Sequence, residues 1–126
     1  MIEIHTDGAC IGNPGPGGWA AIVVENGRET ELSGRDADTT NNRMEITAVI
    51  RGLDHVPGAS PVMISSDSTY VINTMTRNWK RKANHDLWAM LDLATAGRDV
   101  RWEWVRGHSG HPMNERADAL ARREAK

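Results

Sequence analysis

"WAAIVVENGRETELS", residues Trp19 to Ser33, holds two strand-like runs on either side of Asn26-Gly27. That dipeptide favours a two-residue type I′ turn, because both turn positions need a positive φ. An antiparallel hairpin is the expectation. Upstream, Ile2, Ile4 and Thr6 alternate with Glu3, His5 and Asp7, the period of two that marks a strand. Asp7 therefore shares a side with His5.

Downstream the pattern changes. Ile46, Val49, Ile50 and Leu53 fall at helical spacing behind the cap-rich "TTNN", predicting a helix from about Asn42 to Asp54. "PVMISSD" is a short apolar run, as in a strand covered on both faces, and it ends in a second acid, Asp67. Ser68 can start a helix reaching about Arg77, and Leu87, Met90, Leu91 and Ala94 predict another that stops at Gly97. "DVRWEWV" reads as a fifth strand, and a last helix from about Pro112 carries Ala117, Leu120 and Ala121 on its apolar face. The order β β β α β α α β α argues an α/β fold with a five-stranded mixed sheet and helices packed on its faces.

The chain's 126 residues suit one domain, residues 1–126, with a core that needs no disulfide. The single cysteine, Cys10, cannot form an internal disulfide and fits a reducing, cytoplasmic setting. No apolar run is long enough to span a bilayer, so no membrane role is expected. A net charge of -2 gives no global field for a polyanion, and any such contact must come from local patches.

Asp7 and Asp67 stand near the ends of expected core strands, where ligands collect in open α/β sheets. Glu45 and Asp118 lie on helices beside apolar stripes. Four carboxylates brought together would repel one another unless cations sat among them, and hard oxygen ligands select Mg²⁺ or Mn²⁺. Such a site suits phosphoryl transfer. Each acid also has a plain reading: Asp7-Gly8 as a turn pair, Glu45 as a solvated helix acid, Asp67-Ser68 as a cap. Spacing alone does not bring them together. His108, in the glycine-flanked loop before the last helix, suits proton transfer, whereas His111 suits the turn before Pro112.

Taken together, "TDGACIGNPGPGGWA", "TTNNRMEITAVIRGL", "SSDSTYV" and "WEWVRGHSGHPMNERADALA" resemble the type I ribonuclease H family in order and separation. Its members cut the RNA strand of RNA/DNA hybrids. The resemblance runs almost end to end and implies the ribonuclease H-like fold, with Asp7, Glu45, Asp67 and Asp118 as ligands of two Mg²⁺ ions that Mn²⁺ can replace. It implies that His108 assists catalysis or product departure. It also implies substrate contacts from Gly8, Cys10, Asn13, Thr40, Asn41 and Asn42 on an RNA/DNA hybrid; a monomer is the expected state. The glycine loop lacks both the Walker and the GxGxxG spacing, so no nucleotide cofactor is expected.

Relatives often carry a long basic helix and loop before "DLW", shortened here to "TRNWKRKANHDLW". Trp79 with Lys80, Arg81 and Lys82, joined by Arg77, is the remaining candidate grip for the DNA strand. Thr69 stands where the family commonly has a longer amide. Two other readings share these residues: another nuclease on the same core, and a noncatalytic hybrid-binding module.

Overall fold

The computed structural model describes residues 1–126. Three strands come first, β1 (Ile2–Cys10), β2 (Gly15–Glu25) and β3 (Arg28–Thr39), then α1 (Asn41–Asp54) and β4 (Val62–Ser66). After them come α2 (Thr69–Thr76), α3 (His85–Thr95), β5 (Val100–Trp104) and α4 (Pro112–Ala125). The element order is the expected one.

The hairpin forms where Asn26-Gly27 placed it. Both residues have positive φ, 52° and 78°, and Glu25 pairs with Arg28 across the turn. The five strands lie in the order β3-β2-β1-β4-β5, antiparallel through the first three and parallel through the last. Asp7 does not end its strand, however. β1 stays paired with β2 as far as Cys10↔Gly17, while its parallel pairing with β4 stops at Thr6↔Ser66. The sheet thus opens on one side of β1 only, just after Thr6 and Ser66. The next residues of the two parted strands are Asp7 and Asp67.

One face of the sheet carries α1, α2 and α3 over Ile2, Ile4, Ala21, Val23 and Ile64. Ile46, Val49, Ile50 and Leu53 of α1 are all buried there, each contributing about 2 kcal/mol of apolar burial. The other face carries α4, whose Ala117, Leu120 and Ala121 pack on Ala20 and Ile22. Small residues on both surfaces let this helix lie close to the sheet.

The caps refine the helix starts. Thr40 accepts from the Arg43 amide at 3.2 Å and Ser68 from the Val71 amide at 3.1 Å, so α1 begins at Asn41 and α2 at Thr69. α3 departs from its expected apolar face. Leu87, Trp88 and Leu91 are buried, whereas Met90 is 49% exposed. Trp88 turns the helix because its indole N–H donates to the Tyr70 hydroxyl at 3.2 Å, while its ring fills the core. No helix is long and apolar enough to cross a membrane.

Candidate active site

Parallel pairing brings the first two acids side by side, and α1 adds the third. Gly8 lets it do so. A Cβ at Gly8 would lie 2.5 Å from the Glu45 amide nitrogen and 2.6 Å from the Met44 carbonyl carbon. Only glycine allows the first turns of α1 to approach β1 this closely. Carboxylate oxygens of Asp7, Glu45 and Asp67 then lie within 4.8 Å of one another. Asp118, from α4, lines the same cleft of about 520 Å³, together with Gly8, Cys10, Asn41 and His108.

The electrostatics of this cluster follow from its burial. Asp7 is 4% and Glu45 5% exposed. Burial, then the neighbouring Glu45, Asp67 and Asp118, pushes the Asp7 carboxyl up to about 11. Burial likewise raises Glu45 to about 7, with the Asp67 charge adding to the rise and the nearby polar groups of Asp7, Gly8 and Ser68 opposing it. Asp7 Oδ1 accepts the Gly8 amide at 2.9 Å. Asp7 Oδ2 and Glu45 Oε1 are buried and have no hydrogen-bond partner. Two anionic oxygens cannot satisfy each other, so either a proton or a cation must lie between them. An all-oxygen donor set of this charge fits Mg²⁺ or Mn²⁺.

Asp118 is held differently. Arg122, one helical turn on, places its Nε 3.1 to 3.2 Å from both Asp118 oxygens and also lines the cleft. Sequence reading passed over Arg122, although its i,i+4 spacing from an acid was a visible signal. The His108 loop is seated on Asp67 by Gly107, where a Cβ would come 2.8 Å from Asp67 Oδ2. His108 is exposed, with φ 55°. His111 caps α4 by accepting the Asn114 amide at 3.3 Å, and its ring lies 5.9 Å from that of buried His5. Burial holds His5 below its ordinary value.

The other expected contacts divide into those facing the cleft and those holding its walls. Cys10 lines the cleft while its thiol donates to the Gly15 and Thr39 carbonyls at 3.5 and 3.4 Å. Asn13 Oδ1 accepts the Asn41 amide at 2.7 Å, tying the glycine loop to the start of α1. Thr40 is the cap of that helix, and Asn42 is exposed beside it. In the shortened basic segment Trp79 is 48% exposed, and Lys80 and Lys82 are also exposed. Arg81 is engaged within the fold: it grips Asp92 at 2.6 and 3.0 Å and lies 5.2 Å over the Trp88 ring.

The comparisons agree with this architecture. The RNase H family model matches residues 1–126. The ribonuclease H of Pseudomonas savastanoi pv. phaseolicola is 50% identical over 135 residues, covering 97% of this chain and 91% of that one. The ribonuclease H of Chelativorans sp. is 52% identical over 134 residues, covering 96% and 83%. Among solved structures, the N-terminal RNase H domain of a Mycobacterium tuberculosis protein superposes with a TM-score of 0.88 at 29% identity, covering 98% of this chain and 92% of that one. LC11-RNase H1, solved in complex with an RNA/DNA hybrid, gives 0.84 at 26% identity, covering 99% and 96%. With a match across its whole length and relatives at half identity, this chain belongs to the RNase H family.

Proposed function

We propose that this chain is an endonuclease hydrolysing the RNA strand of RNA/DNA hybrids, leaving 5′-phosphate and 3′-hydroxyl ends. The observation that carries the reading is the cluster of Asp7, Glu45 and Asp67 within 4.8 Å, with buried, unpartnered oxygens on Asp7 and Glu45. The family and the hybrid bound by LC11-RNase H1 support the substrate class.

In this reading Asp7, Glu45 and Asp67 would hold one divalent ion, and Asp118, lining the same cleft, would help to hold a second. When bound, Mg²⁺ or Mn²⁺ would activate the attacking water and stabilise charge on the departing 3′-oxygen. The protein's own part is placement. Gly8 and Gly107 set α1 and the His108 loop close to the point where β1 and β4 part, fixing where a phosphate can sit. Water attacks phosphorus in line and releases one proton to solvent, the bond to O3′ breaks, and O3′ takes up one proton from solvent. His108, exposed at the rim, is placed to pass a proton and to ease departure of the 5′-phosphate. Asn41, Cys10 and the Gly8 backbone face the strand being cut. The 2′-hydroxyl is the group they must read to tell RNA from DNA. The exposed Trp79, Lys80 and Lys82 form a reduced contact for the DNA strand. A monomer acting in the cytoplasm fits the reading and its one free thiol, Cys10.

The test follows a labelled RNA strand in RNA/DNA, RNA/RNA and single-stranded form, beside labelled DNA/DNA, with Mg²⁺, Mn²⁺ or excess chelator. Internal cutting of the hybrid's RNA strand alone, lost with chelator and in Asp7→Asn and Asp67→Asn, is the expected result. His108→Ala should slow turnover without abolishing it. Cutting of DNA would favour a related nuclease, and tight hybrid binding without cutting would favour a binding module.

A further inference from the structure

A second groove, of about 310 Å³, lies between α2 and β5 and is lined by Thr69, Ile72, Asn73, Thr76, Arg77 and Trp104. The α2 residues follow one another at helical spacing, forming a single outward stripe. Its floor is Ile72, 7% exposed yet belonging to neither core cluster. Its wall is Trp104, 49% exposed. This indole is not loose: its N–H donates to the Asp67 carbonyl at 3.2 Å, fixing an apolar plate directly beside a proposed metal ligand.

Charge changes sharply between the two hollows. The catalytic cleft is lined by four carboxylates, and the groove by none. Arg43, Arg81, Arg101, Arg116 and Arg122 each face a carboxylate within the fold. Arg77 forms no ion pair and no side-chain hydrogen bond. Arg28, Arg35, Arg51, Arg106 and Arg123 also lack an ion pair, but of the unpaired arginines Arg77 alone lines the groove, where its guanidinium can meet an anion from outside. Thr69, which lines the groove, follows the cleft's Asp67 by two residues.

Resting on the ribonuclease reading above, we infer that this groove receives the cut strand just beyond the metal centre, the Trp104 ring against a sugar and Arg77 on the next phosphate. The bases of a hybrid are paired and stacked, so their faces are not free for Trp104. The apolar edge of a ribose is, and an indole plate covers it well. Arg77 is then a sequence-independent contact that sets how far the strand must extend past the cut.

The experiment uses hybrids in which a short ribonucleotide tract confines cutting to one place, with the flank on either side long or removed. Arg77→Ala and Trp104→Ala should raise KM about five- to tenfold on hybrids keeping one particular flank. On hybrids lacking that flank they should match the wild type. Arg77→Ala should also lower the slope of log affinity against log salt by about one. Trp104→Phe, which keeps a ring but loses the N–H, should retain the flank dependence. Mg²⁺ half-saturation should not move in Arg77→Ala.

Unchanged KM and salt slope in Arg77→Ala would overturn the inference while leaving hybrid cutting intact. Equal losses in Trp104→Ala on long and short flanks, with a higher Mg²⁺ requirement, would reduce Trp104 to a brace for Asp67 and would also overturn it. A wild-type chain that cuts no hybrid would remove the ribonuclease reading, and the groove's role with it.

Discussion

Replacing Asp7 by Asn should stabilise the cation-free protein as pH rises, even as it removes the chemistry. In the folded chain the Asp7 carboxyl is held up to about 11, against an ordinary value of 3.8 when unfolded. Between those values the folded state binds one proton more than the unfolded state. Its stabilising effect is complete below the unfolded value and is lost progressively as pH climbs toward the folded one. One extra proton gives a slope of about -1.4 kcal/mol per pH unit.

Two neighbours titrate lower. Glu45, at about 7, adds a second excess proton only up to that value. His5, held below 6.5 by burial, acts in the opposite sense and only below that value. From about pH 7.5 to 9 Asp7 is therefore the main contributor from this cluster, and the wild type should lose about 2 kcal/mol across the window. Asp7→Asn should lose nothing from this source. Urea unfolding followed by circular dichroism, with chelator present and ionic strength fixed, reads the difference directly, and other groups largely cancel between the two proteins. Saturating Mg²⁺ should flatten the wild-type slope, because a cation takes the proton's place. Parallel slopes for wild type and Asp7→Asn in chelator would refute the reasoning.

Gly8→Ala should cost about 1 to 3 kcal/mol, because its Cβ must push α1 away from the sheet. Moving Glu45 by about 1 Å should also lower kcat about a hundredfold, which steady-state cleavage would measure. Tyr70→Phe deletes the hydroxyl that accepts from both Trp88 Nε1 and Asn84 Nδ2, and should destabilise by about 1 to 3 kcal/mol in urea unfolding. Lys80→Ala with Lys82→Ala should reduce the salt slope of hybrid binding and leave stability within about 0.5 kcal/mol. Arg81→Ala should do the reverse, lowering stability through the lost Asp92 and Trp88 contacts.

The sequence was most readable where one local rule acts alone. Asn26-Gly27 can hardly do other than turn, and the α1 stripe has a single period, so both elements fall where spacing put them. It was less readable where tertiary packing decides. Met90 has the right spacing for a buried face, but Trp88 turned α3 toward Tyr70 and left Met90 outside. Convergence of the acids was the hardest part to read. It depends on the parallel register of β1 with β4, a pairing between residues about sixty positions apart that no local pattern encodes. Family resemblance supplied that link. The roles of Gly107 and Arg122 were open for a related reason: one is a close approach across the fold, the other a cation beside a cleft visible only once α4 is packed.

The site and the sheet's geometry have a common cause. Where β1 and β4 part, their strands stop satisfying each other, and the next side chains of both face a shared gap. A well-packed protein would fill such a gap with apolar residues, since removing buried like charges generally raises stability. This chain fills it with acids and keeps two of their oxygens without partners. Such an arrangement is unfavourable without a bound proton or cation, so the same repulsion that weakens the bare fold would give the cluster an affinity for divalent ions under the proposed function. Relieving it by Asp7→Asn should leave a more stable protein with less to offer a metal. That inverse relation separates a functional acid cluster from an accidental one.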